Sequence, residues 1–509
     1  MGPRQRLGEA VEKNGTELFD IISLMKKILL VLTLLAIILF LGRNLNPFSS
    51  QMFTFHDSTQ PARIQQFVLN LKQLKIPPRI APDFSYGLGF PVFNFYAPFS
   101  YWLTSAINFV EFDIISSLKL SFLLAIVLGF FGCFLFIKSF FDFYPSLLGG
   151  VLYITSLYFP LNIFVRGNLA EVWFLALFPL GFFFIYKNSL KNNKITLVVT
   201  SIILSFLLTS HNILSLISLP IVFIFILLLK NKKQNLLSLA IALLLTAYFW
   251  LPALTEMKYT WTKEVATLTN FRDHFLCLNQ LWQSDWGYGG STRGCVNDGM
   301  SFKIGKIQLI FFFLGILIFL YKIFFKKYKL NTIYLFIIIY SLLFLFLTLY
   351  QSQPLWELFS PILSVIQFPW RLIGPPLLGI AFFSAYFFHY LKIPLKNVLI
   401  IIILATALII NGKHFYGQEI KKDRFEKKYL SQEYIKKKAA YAIAEYLPIT
   451  IDYQYWRSLE KKKEVPMEFF AKSSIKPFSK DRQTLIENIG NIITLLGFIS
   501  LVSILKWKT

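Results

Sequence analysis

Long apolar runs separated by short polar segments set the pattern of this chain. The runs lie at roughly 26–43, 117–138, 144–162, 170–187, 196–211, 213–230, 235–254, 306–323, 331–350, 371–391, 396–411 and 486–505. Each approaches or exceeds the ~18–20 residues that cross ~30 Å of hydrocarbon. The pattern predicts an all-α polytopic membrane protein with about twelve transmembrane helices. A further stretch, YAPFSYWLTSAINFVEF at 96–112, is apolar and aromatic. Counted as a crossing, it would reverse every later loop. It is therefore expected as an interfacial or re-entrant helix, with Tyr96, Tyr101 and Trp102 at headgroup level.

The basic residues orient the runs. Lys26-Lys27, KNSLKNNK at 187–194, KNKK at 230–233, KKYK at 326–329, Lys392 with Lys396, and Lys506 with Lys508 all fall on one side if both ends are cytoplasmic. The run after Met25-Lys26-Lys27 lacks a small-residue cleavage site and reads as a signal anchor, with Met25 a candidate start. The expected organisation is a cytoplasmic N-terminal segment 1–25, then a multispanning domain 26–411 with outer loops 44–116 and 255–305. An extracytoplasmic polar segment 412–485 and a last helix with its cytoplasmic end, 486–509, complete it.

Composition sharpens this picture in one respect. The 509 residues carry a net charge of +24, which in a soluble protein would suggest nucleic acid. Only 15% are charged and mean hydropathy is +0.57, and much of the basic charge sits between apolar runs. The expected partner is the bilayer, with no nucleic acid. The Lys clusters of 412–485 are interleaved with Tyr434, Tyr441, Tyr446, Tyr453, Tyr455 and Trp456. That interleaving suits a folded or surface-lying segment against anionic headgroups.

With this orientation the polar clusters gather on the outer side: His56-Asp57, RGNLAE (166–171), SHN (210–212), the 255–305 loop, and QFPWR (367–371). Asp57 follows the first run. It is either the cap of a helix starting at HDSTQPARIQQ or a general base toward an acceptor hydroxyl. Arg166 and Arg371 are either interface anchors or clamps for a lipid-linked phosphate, which guanidinium binds in bidentate fashion. Arg166 and Glu171 lie five residues apart and need not face each other. Trp370, Tyr96 and His211 are the candidates for sugar or lipid contact, and Asp83 is a second acid in a ring-rich stretch of the first loop. No close His/Cys/Asp spacing joins His56, His211 and His274 into a metal site. Cys277 and Cys295 are expected to pair on an oxidising side, and Cys133 to pack inside a helix. WGYGGSTRG lacks the order of a nucleotide loop.

The order HD, PPRIAPDFSYGLGFPVFNFYAP, RGNLAE, SHN, AYFWLPALTE, QLWQSDWGYG, QFPWR and EYLP resembles the bacterial multispanning family labelled "6-pyruvoyl-tetrahydropterin synthase related", over about residues 25–505. More remotely the layout is similar to the GT-C membrane glycosyltransferases. That resemblance implies a structured outer first loop, donors linked to polyprenyl phosphate, and inverting sugar transfer on the outer face of a bacterial plasma membrane for envelope glycan assembly. Asp57 matches the first-loop catalytic acid, with His56, Asp83 and Glu171 as support. Many of those enzymes carry two acids where this chain has His56-Asp57, so a divalent cation stays open, as do the sugar and the acceptor. Two other classes fit an outer polar cluster: a transporter or flippase for a lipid-linked or polar solute, and a non-catalytic envelope scaffold. Few ionisable residues fall mid-run and no internal repeat is evident, which favours the enzyme over a transporter.

Overall fold

The computed structural model describes residues 21, 23–190, 193–266, 270–287, 289–295, 298–421, 424–462 and 464–506. The segment 1–20 and Lys508 of the sequence reading lie outside them. Among the described residues the regular structure is helical apart from one two-stranded ribbon. An apolar helix stands at each of the twelve expected positions. Six are long and apolar enough to cross a membrane: α1 (Ser23–Leu41), α4 (Ile114–Lys138), α6 (Leu169–Leu190), α11 (Lys306–Phe324), α13 (Pro369–Tyr390) and α15 (Leu485–Lys506). Two more positions hold bent pairs. In the first, α5 (Phe143–Ile154) meets Tyr158–Val165 at 41°; in the second, α9 (Lys232–Leu245) meets α10 (Ala247–Tyr259) at 65°. The other four are shorter: α7 (Lys194–Leu208), α8 (Asn212–Leu228), α12 (Thr332–Leu347) and α14 (Lys396–Gly412).

Lipid exposure divides the bundle. The spanning stretches of α4, α6 and α13 are largely buried inside the protein, whereas α1 and α15 are largely exposed. Between helices in lipid there is little hydrophobic driving force, so close van der Waals packing at small residues takes over. Gly132 of α4 sits against the backbone of Leu180 in α6, and Gly315 of α11 sits against the Phe383 carbonyl in α13. Cys133 is buried in this packing, as expected.

The first loop carries α2 (Gln60–Lys72) and α3 (Phe99–Asn108). Pro61 in the first turn suits α2, because its missing N–H has no partner there. The helix α3 occupies the 96–112 stretch, but Tyr101 is fully buried and donates its hydroxyl to Gln60 Oε1 at 3.0 Å. Trp102 packs on Phe67, with ring centroids 5.2 Å apart, and donates to the Tyr248 hydroxyl at 3.1 Å. Headgroup anchoring by Tyr101 is thus corrected: its ring serves a protein core, because α2 covers the face of α3 that would otherwise meet lipid.

Segment 412–485 folds onto this first loop. Met52–Phe53 pairs antiparallel with Ile420–Lys421. The Trp456 ring stacks on Phe90 and donates to Ser85 Oγ at 2.9 Å. Tyr446 stacks on Phe95, with centroids 5.7 Å apart. Single bridges join Thr260 to Pro448 and Leu276 to Leu349. Three segments distant in sequence therefore assemble at one end of the bundle, above the starts of α4, α6, α8 and α13.

A Cβ on Gly315 would lie 2.0 Å from the Phe383 carbonyl oxygen, whereas one on Gly181 would meet methyls of Leu207 and Leu204 at 3.4 and 3.9 Å. Gly315→Ala is therefore expected to destabilise the protein by about 1–3 kcal/mol, with Gly181→Ala near neutral. Thermal unfolding in detergent, comparing the two variants, checks this.

Candidate functional site

The site begins with the docking of the first loop onto the break before α6. The His56 and Asp57 amides donate to the Val165 and Arg166 carbonyls at 2.9 and 2.8 Å. Gly167 makes the tight turn there with φ +64°, and a Cβ on it would strike the Phe55 ring. The turn folds the chain back, so Arg166 and Glu171 do face each other and form a buried ion pair. Their separation along the sequence is overridden by the left-handed glycine. Glu171 also accepts from the Tyr158 hydroxyl and from Asn168 Nδ2, while Asn168 Oδ1 takes the Glu171 amide at 3.0 Å. Arg166 reaches Asn162 as well, and its guanidinium lies 4.6 Å from the Trp370 ring centroid. Such a contact adds cation–π attraction in a desolvated setting.

Asp57 stands at the start of α2 and pairs with the buried Arg63 at 3.1 Å. Its Oδ1 accepts from Thr59 Oγ1 at 2.9 Å and Arg63 Nη2. Its Oδ2 accepts from Gln60 Nε2 at 2.6 Å and Arg63 Nη1 at 3.4 Å. Four donors thus use the carboxylate, and an incoming hydroxyl must replace one of them. The guanidinium of Arg63 lies 5.2 Å from the Tyr96 ring centroid. Tyr96 is the centre of the cluster. Burial and the charge of Asp57 push its hydroxyl up to about 12, against the opposing pull of Arg63, Arg371 and Arg166.

Arg371 differs from the other two arginines. Its Nη1 donates only to the Ile366 carbonyl at 3.2 Å and Gln367 Oε1 at 3.4 Å. Gln367 holds φ +62°, an uncommon conformation for a residue with a side chain. Arg371 Nε, like Arg63 Nε, is buried with no hydrogen-bond partner, but among the described residues Arg371 is in no ion pair. A buried donor without a partner is rare and calls for a ligand, water or ion to complete it. His211 is buried nearby. Its Nδ1 accepts the Leu214 amide at 3.2 Å and so caps α8, and the charges of Glu171, Arg371 and Arg166 act on it.

Beside this cluster an apolar groove of about 700 Å³ runs between α8 and α12. It extends from Leu228 and Thr332 at one end of the bundle to Ile213, Ile366 and Leu372 at the other. Its upper end therefore adjoins both His211 and Arg371.

Not every expected residue joins the cluster. The amides of His56 and Asp57 are neighbours, but the His56 side chain is exposed while Asp57 turns inward. Asp83 is engaged by Gln66, whose amide donates to Oδ2 at 3.0 Å and whose Oε1 takes the Asp83 amide at 2.8 Å. Cys277 and Cys295 form a disulfide, with Cα atoms 5.7 Å apart. No group of three His, Cys, Asp or Glu among the described residues is placed to hold a metal. The groups around Asp57 are hydrogen-bond donors and a guanidinium, a set that does not suit a divalent cation.

Two members escaped the sequence reading. Arg63 falls inside the stretch HDSTQPARIQQ, expected as a helix start, and the pattern does not single it out; only its burial against Asp57 and Tyr96 gives it a role. Glu445, in the EYLP stretch, is half-buried and faces Arg63, Arg371 and Asp57. Burial pushes its carboxyl above the ordinary carboxylate range, against the arginines and with the help of Asp57. A raised folded-state pKa means that protonation favours folding. That contribution is full below the unfolded value of ~4.3 and is lost as pH rises through the folded one. Glu445→Gln, which cannot ionise, is expected to melt like wild type at pH 4 and above it at pH 8. Melting curves across that range check the sign.

Comparison with known proteins adds the family. A family model described as 6-pyruvoyl-tetrahydropterin synthase related domain, membrane protein, matches residues 93–413. No curated protein matches the chain. The matched stretch holds Arg166, Glu171, His211, Trp370 and Arg371, while Asp57, Arg63 and Glu445 lie outside it. Because it covers more than half of the 509 residues, the chain belongs to the 6-pyruvoyl-tetrahydropterin synthase related family of membrane proteins.

Proposed function

We propose that this protein is a GT-C-type membrane glycosyltransferase with twelve crossings. It transfers a sugar from a polyprenyl-phosphate-linked donor to an acceptor on the outer face of a bacterial plasma membrane, in envelope glycan assembly. One observation carries the reading: Arg371, a half-buried guanidinium with no ion pair among the described residues, sits beside one end of the apolar groove between α8 and α12. A lipid with one anionic group matches both features. Its chain lies along Ile217, Ile224, Phe336 and Leu343, and its phosphate meets Arg371. Arg166, held by Glu171 and Trp370, is the second guanidinium. The basic loops at the other end of the helices give the orientation.

In the reaction, the acceptor oxygen attacks the anomeric carbon from the face opposite the phosphate. The new C–O bond forms as the bond to the phosphate oxygen breaks, and that oxygen leaves with the electron pair. The developing charge is held by guanidinium groups already in place, which need no reorganisation. The acceptor hydroxyl takes the place of Thr59 Oγ1 at Asp57 Oδ1 and gives its proton to that carboxylate.

The length of the groove favours a second reading, a passage for a lipid-linked solute between the two faces. Purified protein in nanodiscs, supplied with a panel of polyprenyl-phosphate sugars, separates the two, with mass spectrometry of released lipid phosphate as the readout. The transferase reading expects turnover in wild type and its loss in Asp57→Asn. It also expects donor binding about 10–100-fold weaker in Arg371→Gln, the scale of one lost charge-assisted contact. Undiminished turnover in Asp57→Asn would overturn Asp57 as the base. Movement of labelled donor across a vesicle bilayer, without release of lipid phosphate, would favour the passage.

A further inference from the structure

The loop closed by Cys277–Cys295 reaches into the arginine cluster at one atom. Ser291 Oγ, inside that loop, accepts the Trp370 Nε1 proton at 2.8 Å and lies 2.7 Å from His274 Nδ1. A serine hydroxyl can do both at once, since it has two lone pairs and one proton. It accepts from the indole and donates to the imidazole when His274 is neutral. Burial lowers the His274 pKa, with Asp273 and Asp298 opposing and Arg371 adding to the shift, so the neutral form prevails at pH 7. The rest of the loop is anchored on either side. The Thr292 amide donates to Asp298 Oδ1 at 2.8 Å, and the Gly294 amide donates to the Tyr350 hydroxyl at 2.6 Å.

Trp370 is the residue that makes this anchoring matter. Its ring is buried, with the Arg166 guanidinium 4.6 Å and the Arg371 guanidinium 5.9 Å from its centroid. Phe302 and Phe368 pack against the ring with centroids at 5.9 and 5.3 Å, but neither fixes its rotation by a hydrogen bond. The bond to Ser291 supplies that constraint. Without it, a buried indole N–H has no partner and the ring has a reason to turn.

We propose that Ser291, backed by His274, is a positioning residue. It locks the Trp370 ring so that Arg166 and Arg371 converge on the donor phosphate. The proposal rests on the reading that these arginines bind a lipid-linked phosphate.

The test uses full-length protein in nanodiscs and a short-chain polyprenyl monophosphate as probe, with affinity and melting temperature measured on the same samples. Ser291→Ala is expected to weaken binding about 3–10-fold, as loss of one positioning hydrogen bond implies. Ser291→Thr, which keeps the hydroxyl, should restore most of it. Trp370→Phe removes the indole donor, so adding Ser291→Ala to it should change the affinity no further. A purely structural serine would instead lower the melting temperature in both backgrounds and leave affinity unchanged. Wild-type affinity in Ser291→Ala, or full additivity with Trp370→Phe, overturns the proposal while leaving the transferase reading intact. Failure of the wild type to bind the probe overturns both.

Discussion

Two backbone hydrogen bonds, from the His56 and Asp57 amides to the Val165 and Arg166 carbonyls, fix the relation between the first loop and the membrane helices. They exist because the helix before α6 breaks, leaving carbonyls that a continuous helix would have used itself. The break in turn depends on Gly167, whose left-handed backbone sends the chain into α6 and leaves room for Phe55. From this joint the Asp57–Arg63 pair and the Arg166–Glu171 pair descend side by side. Tyr96 lies within reach of both.

Charges in such a place are costly to desolvate, and removing one partner of a buried pair leaves the other exposed to the full penalty. Arg63 and Arg166 meet this cost with a carboxylate and an aromatic face each, and Arg166 with the Asn162 amide as well. Arg371 meets it with a backbone carbonyl, an amide and the rings of Phe368 and Trp370, and has no carboxylate partner among the described residues. The asymmetry is one of ion pairing: two of the three guanidiniums have a carboxylate and Arg371 does not. The apolar groove ends beside Arg371, so the unpaired charge stands next to apolar surface.

The cap over this cluster comes from parts of the chain with little individual character. The 255–305 loop contributes a disulfide, a serine and a histidine. The 412–485 segment contributes rings that stack on Phe90 and Phe95, along with Glu445. Its interleaved rings predict a folded or surface-lying segment, and its tyrosines and Trp456 do the packing. Aromatic side chains bury much surface at low conformational cost, which lets a Lys-rich segment fold onto a polar loop.

The sequence by itself determined where the helices lie, because runs of apolar residues are set by composition along the chain and need no knowledge of neighbours. It also marked Asp57, Arg166, Glu171, His211, Trp370 and Arg371, since polar residues at the ends of apolar runs stand out against their surroundings. The cysteine pair was legible from its isolation. Only the tertiary structure decided which of these residues meet. The Arg166–Glu171 pair depends on a glycine dihedral, the burial of Tyr101 on what α2 covers, and the withdrawal of Asp83 on Gln66. Arg63 and Glu445 are not singled out by the sequence, because what matters is their burial, and Glu445 meets Arg63 and Asp57 only through folding of the distant 412–485 segment. Pairing, burial and the lack of a carboxylate at Arg371 among the described residues are properties of distances in space, which a one-dimensional pattern does not contain.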